Sequence, residues 1–286
     1  MKKFPTLVLA TAFALVLPVA AGCGEAQGST GDVCVSFIDV GKGDCILLQA
    51  GDSSALIDAG YEDTSVKVLS HLREHGVDHL DCLIITHYDR DHIGGVRPIG
   101  NALPIDVVYL PGYEGSDKNY RALMASVKDL GLAAKQVDEE VSLKLGEAVL
   151  DVFPSDVAYV PGTKGEEGND NDLSLVVTLT FKNDSYFFAG DLEKEGLEAY
   201  LEHPHGRFDV LKMPHHGQKS PLTDELLESV RPKVAVITDG SDDPASKKTL
   251  KMLDEIGADS YCTSSTGTVV VKSDGTGRYS VSTTRG

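Results

Sequence analysis

Apolar and polar positions alternate over residues 33–40, which predicts a β-strand. A glycine-rich turn at 41–44 leads into a return strand over 45–49. A third short strand over 55–60 ends in a small loop. From 66 to 75 the apolar positions shift to a helical period. Short apolar runs at 83–86 and 105–110 read as buried strands, and 120–130 as a second helix. A strand at 149–153 precedes a loop rich in Gly, Pro and acidic residues, 154–172. Two adjacent strands, 173–181 and 185–189, come before a helix over 193–201. The remainder alternates: strand 209–212, helix 223–230, strand 234–238, helix 246–256, then strands to the end. Paired strands opening each half, with helices between later strands, predict an α/β (α+β) fold of mixed sheets covered by helices. No linker divides residues 32–286, so they read as one domain.

Residues 1–31 follow neither period. Met1-Lys2-Lys3 supplies a positive start, residues 4–19 an apolar run, and Ala20-Ala21-Gly22 small residues before Cys23. This is the plan of an export signal over 1–22. The run is short for a spanning helix, which takes roughly 20 residues. Small residues directly before Cys23 resemble a bacterial lipoprotein signal, in which Cys23 becomes the lipidated first residue and 23–31 a flexible tether. The expected location is extracytoplasmic, anchored to the cell membrane through lipid only. Ordinary cleavage after Val19-Ala20-Ala21, giving a secreted protein, is the alternative.

Composition narrows the partners. Among 286 residues, 41% are hydrophobic and 24% charged, which rules out a mainly disordered chain. Lys and Arg total 26 against 44 Asp and Glu, a net charge of −18, so most of the surface repels phosphate backbones. Trp is absent and aromatics make up 6%, which disfavours a base-stacking platform. Cys34, Cys45, Cys82 and Cys262 sit in or beside apolar runs without C-x-x-C spacing. They read as buried free thiols, with a disulfide left open.

The chemistry is concentrated in Thr86-His87-Tyr88-Asp89-Arg90-Asp91-His92-Ile93-Gly94-Gly95. A buried strand delivers two His and two Asp into one loop, an efficient way to hold a cation rigidly. Imidazole with carboxylate suits zinc, manganese or ferrous iron. Gly94-Gly95 permits close backbone approach where the next helix begins. Gly190-Asp191 also closes a strand, and Asp191 there could reach the same sheet edge or cap the following helix. His215-His216-Gly217 follows another buried strand. On extended backbone the two rings point to opposite sides, so one can be a ligand while the other packs; His215 is the favoured ligand.

These residues resemble the metallo-β-lactamase fold. His87-x-Asp89-x-Asp91-His92 with Gly-Gly is similar to its metal signature, in the variant of the hydrolase-like domain of the ComEC competence proteins. Residues 37–44, 56–60, 171–176, 188–191 and 211–217 match in the same order. The resemblance implies a four-layer αββα sandwich binding one or two divalent ions, zinc or manganese. It implies His87 and Asp89 on one ion, Asp91 and His92 on the other, Asp191 between them, and one of His215 and His216 completing the shell. Asp91 would also align the nucleophile, making it the catalytic residue. Asn171, Asp172 and Ser174 would support the ligands from behind; hairpin chemistry accounts for Asp39 and Asp44, although the resemblance places their turn beside the metal site.

Departures matter as well. No His lies between His92 and His203 or after His216, so two imidazoles found in related patterns are missing. Asp243 stands where one of them would be. A carboxylate-rich set shifts the expected metal towards manganese. His71-Leu72-Arg73-Glu74-His75 matches a zinc-peptidase pattern but reads as a chance match on a solvated helix face. His79, His203 and His205 read as surface residues. The expectation is a metal-dependent hydrolase of small-molecule or polymeric phosphoesters, with Lys212 or Lys219 near the departing charge. A DNA-processing nuclease, disfavoured by charge, and a metal-poor binding lipoprotein are the alternatives.

Overall fold

Strands β1 (Val33–Phe37) and β2 (Ile46–Ala50) pair antiparallel, Val33 opposite Ala50 and Phe37 opposite Ile46. β3 (Ser53–Ile57) extends the meander, and β4 (Cys82–Ile84), β5 (Val108–Pro111) and β6 (Ala134–Val137) add to it in parallel. The next seven strands form a second sheet: β7 (Val141–Leu145), β8 (Ala148–Phe153), β9 (Val176–Phe181), β10 (Asp184–Phe188), β11 (Val210–Lys212), β12 (Val234–Ile237) and β13 (Asp259–Cys262). β14 (Val269–Ser273) and β15 (Tyr279–Thr283) return to the first sheet beside β1. This computed structural model describes residues 31–162, 168–203 and 206–285. The expected signal, Cys23, the tether as far as residue 30 and His205 lie outside them.

Alternation along the strands builds the layers. Val33, Val35, Ile46, Leu48 and Ile57 share one buried cluster with Leu150, Leu179, Tyr186 and Phe188 of the other sheet. Leu47, Leu56 and Leu83 point the other way. They join Val68 and Leu72 of α1 (Ser65–Glu74), Val96 and Ile99 of α3 (Val96–Ala102), and Leu123 of α4 (Lys118–Leu130). α2 (Arg90–Ile93) is one turn long. On the far side, Phe187, Leu211 and Ala235 meet α5 (Lys194–Glu202), α6 (Thr223–Val230) and α7 (Lys247–Glu255). The result is the four-layer αββα sandwich expected. Strands covered on both faces are apolar on both faces, and each fully buried Leu, Ile or Phe contributes about 1.5–3 kcal/mol.

The edge strands β6, which closes the first sheet, and β7, which closes the second, were not expected. Ala134, Lys135 and Gln136 are exposed on an edge strand, so they carry little pattern. Residues 171–173 form a 3-10 turn instead of the start of a strand, and β9 begins at Val176. The free-thiol expectation holds for Cys45, Cys82 and Cys262. Cys34 is buried on the opposite face of β1 from Val33 and Val35. Among the described residues no helix is long and apolar enough to cross a membrane.

Candidate metal centre

Parallel pairing of β3 with β4, and of β10 with β11, sends their C-terminal ends to one edge of the sandwich. β4 runs out into Thr86 and His87, and α2 then brings His92 back. A Cβ on Gly95 would collide with the Ala59 carbonyl, so only glycine lets this loop pack so closely. Gly190, at φ 52°, turns β10 so that Asp191 enters the same space. After β11 the chain makes a 3-10 turn, Pro214–Gly217, with His215 and His216 at φ 45° and 50°. The pair is therefore left-handed rather than extended, and the alternate-side argument fails.

Three fully buried imidazoles, His87, His92 and His216, converge there. The ring centroids of His87 and His92 are 4.1 Å apart, and those of His92 and His216 are 5.4 Å apart. Each is held from behind through Nδ1. Thr86 Oγ1 donates to Asp58 Oδ2 at 2.7 Å and so offers a lone pair to His87 Nδ1 at 3.1 Å. Thr238 Oγ1 donates to Asp44 Oδ1 at 2.6 Å and faces His216 Nδ1 at 3.3 Å. His92 Nδ1 lies 2.7 Å from Asp58 Oδ2. All three Nε2 atoms are buried and turned into the centre, where no well-aligned hydrogen bond satisfies them. Asp191 Oδ2 sits 2.9 Å from His216 Nε2 and 3.3 Å from His92 Nε2, and Asp91 Oδ2 is 3.4 Å from His216 Nε2. Two overlapping sets, His87 with His92 and Asp191, and Asp91 with His92 and His216, bring their ligand-type atoms within 4.8 Å of one another. Imidazoles tied at Nδ1, with Nε2 turned towards carboxylates, fit a divalent cation.

The electrostatics of the centre follow from the same contacts. Burial alone would protonate Asp191, but His216, His92 and Lys212 outweigh it and hold its pKa well below the usual carboxylate range. Burial disfavours charge on His216, yet Asp191 and Asp91 push its pKa up to about 9. Lys212 is fully buried between Asp44 and Asp191; burial opposes its charge, and those two carboxylates overcome that opposition.

Several expected residues sit elsewhere. His215 is partly exposed, its Nδ1 2.9 Å from Glu193 Oε1, so His216 is the member of the pair inside the cluster. Asp89 stands at the rim with a half-exposed side chain, 3.8 Å from His87 Nε2. Asp243 is bound to Lys42 at 2.8 Å and Gln218 at 3.2 Å. Asp172 caps α5, accepting from Glu193 and Gly196, and Asn171 donates to Glu193, so neither supports the ligands. Ser174 does: its hydroxyl accepts from Asp191 N–H at 3.0 Å and lies 3.3 Å from His87 Nδ1. Lys219 lies outside, near Asp224. His71 is not on a solvated face; it is buried, its ring 3.9 Å from that of His75. Hairpin chemistry describes Asp39, whose carboxylate accepts from Gly41, but not Asp44, which is buried in the centre. The partners that sequence reasoning missed are Asp58, Thr86 and Thr238. Asp58 left a trace in Ile57-Asp58-Ala59-Gly60, a lone acid at the end of a buried strand.

The metallo-beta-lactamase superfamily profile matches residues 38–238. The chain belongs to that superfamily. It is 28% identical over 226 residues to ComE operon protein 3 of Bacillus subtilis (strain 168), covering 72% of this chain and 28% of that protein. It is also 28% identical over 215 residues to Recombination protein 2 of Haemophilus influenzae, covering 73% of this chain and 24% of that protein. The chain thus matches only about a quarter of the length of these relatives. Among solved structures, the metallo-beta-lactamase fold protein YhfI from Bacillus subtilis superposes with a TM-score of 0.55 at 12% identity. That alignment covers 85% of this chain and all of YhfI. Metal-dependent hydrolases predominate in the superfamily, and its members usually bind one or two divalent ions.

Proposed function

We propose that this chain is a divalent-metal-dependent hydrolase of phosphoesters, displayed outside the cytoplasm on a lipid anchor. The observation that carries the reading is the set of three buried imidazoles, each tied at Nδ1 with Nε2 turned into the centre, beside Asp191 Oδ2. His92, His216, Asp91 and Asp191 form the fuller set of donors, and His87 with Asp89 the sparser one. Bound there, an ion would supply Lewis acidity and lower the pKa of a coordinated water. Asp91 has a side chain 17% exposed, against 4% for Asp191, so of the two it faces an incoming substrate. Its carboxylate, 3.4 Å from His216, would align the attacking water. Imidazoles and carboxylates in equal number suit zinc, manganese or ferrous iron.

The name of one relative, Recombination protein 2, favours a second reading, a nuclease acting on DNA. The net charge of −18 weighs against it. A panel of phosphomonoesters, phosphodiesters and single-stranded oligonucleotides separates the readings. Chelator-sensitive turnover of small diesters with inert oligonucleotides supports the first, and the reverse supports the second. Preferential turnover of lactams or lactones overturns both. The anchor has its own test: Cys23→Ser releases the chain from the membrane fraction. Retention of a signal-cleaved Cys23→Ser chain on the membrane contradicts it.

A further inference from the structure

Beneath the imidazoles lies a cation that belongs to the chain itself. Lys212, at the end of β11, is completely buried, and its Nζ contacts Asp44 Oδ2, donates to the Gly190 carbonyl at 2.8 Å, and lies 3.2 Å from Asp191 Oδ1. It thereby divides the two oxygens of Asp191. Oδ1 faces the ammonium, and Oδ2 faces His92 and His216. Asp44 in turn is held by Thr238, whose hydroxyl backs His216.

We infer that Lys212 is a positioning residue and fixed counter-charge that preassembles the carboxylates before metal arrives and thereby limits how tightly metal is held. An ordinary buried ion pair stabilises the fold equally with or without ligand. Here one member of the pair, Asp191, also faces the site, so the ammonium and an incoming divalent ion compete for the same negative charge. Removing Lys212 takes one of the positive charges away from Asp44 and Asp191, beside those of His92 and His216, and leaves more of their negative charge to the metal. Removing Asp44 has the opposite effect, because the full charge of Lys212 then falls on Asp191. The inference rests on the metal-binding part of the preceding reading and concerns affinity, independently of the substrate.

Manganese titration of the full chain, with melting in manganese and in EDTA, tests it. Lys212→Met is expected to bind manganese at least about tenfold more tightly, while its melting temperature in EDTA falls. The gap between its two melting temperatures widens. Asp44→Asn is expected to weaken binding at least about tenfold, and Lys212→Met combined with Asp44→Asn to return it to near the wild-type affinity. Lys212→Arg keeps the charge and the wild-type affinity. If Lys212→Met does not fold in EDTA, Asp44→Asn and the double variant decide. Unchanged or weaker binding by folded Lys212→Met, equal losses of melting temperature with and without metal, or a double variant as weak as Asp44→Asn overturns the inference. A wild-type chain that binds neither manganese nor zinc overturns the metal reading itself, whereas binding by the wild type without the opposed shifts overturns this inference alone.

Discussion

His92 Nδ1 lies 2.7 Å from Asp58 Oδ2, and both residues are completely buried. Asp58 also accepts from the Thr86 amide at 2.8 Å, and it holds this place at φ 57°, a backbone conformation uncommon outside glycine. A residue so constrained fixes which nitrogen of His92 faces the centre.

Asp58→Asn therefore turns an acceptor into a donor opposite Nδ1. The neutral ring is then driven to carry its proton on Nε2, the atom a cation needs. Metal affinity is expected to fall about 10- to 100-fold, measured by competition with a chromophoric chelator. Affinity within twofold of wild type would show that Asp58 does not orient this ligand.

Asp191 and the two adjacent histidines separate ligands from neighbours. Asp191→Asn keeps size and one carbonyl oxygen but removes charge, so elemental analysis is expected to show loss of at least one metal equivalent with the circular dichroism spectrum intact. His216→Ala loses metal in the same assay, and His215→Ala retains it. Tyr88→Phe retains metal but lowers the melting temperature, because the hydroxyl donates to the Pro111 and Tyr113 carbonyls at 3.0 and 3.2 Å. The opposite order of His215→Ala and His216→Ala would place the wrong histidine in the centre.

His71 predicts an acid-sensitive fold. Burial and the neighbouring His75 lower its pKa to about 4, against 6.5 normally. The unfolded chain takes up this proton first, so the stability contributed by neutral His71 is present above pH 6.5 and is lost as pH falls to about 4. His71→Ala costs about 1–3 kcal/mol at pH 7 through lost packing. In urea titrations its stability should fall less steeply than that of the wild type between those two pH values. Equal slopes would remove His71 from the account.

His216 works in the other direction in chelator-treated protein. Its folded pKa of about 9 exceeds the ordinary 6.5, so its contribution is complete below pH 6.5 and is lost as pH rises through about 9. The melting temperature of the metal-free chain should fall across that window. With metal bound the ring carries no proton on Nε2, and the fall should be absent.

Much of this was legible in the chain. Buried strands announce themselves by apolar runs, and His87, Asp91, His92 and Asp191 stand directly after them, so their convergence followed from the fold. What was hidden depends on backbone conformation and distant partners. The left-handed turn at His215 and His216 reverses which ring points inward, and no local pattern signals it. Asp44 and Lys212 lie 168 positions apart by number, and only the packing of the two sheets makes them an ion pair. His71 misled because position on a helical wheel does not reveal its neighbours, and the edge strand β6 lacks an apolar face to betray it.

The central claim is metal-dependent phosphoester hydrolysis, and the most direct measurement is turnover of bis(4-nitrophenyl) phosphate by the purified full chain after chelation and stepwise return of manganese. The account predicts no turnover in EDTA, recovery that saturates at one or two equivalents of metal, and no recovery for Asp191→Asn. Turnover that survives chelation, or that Asp191→Asn supports at the wild-type rate, would contradict it.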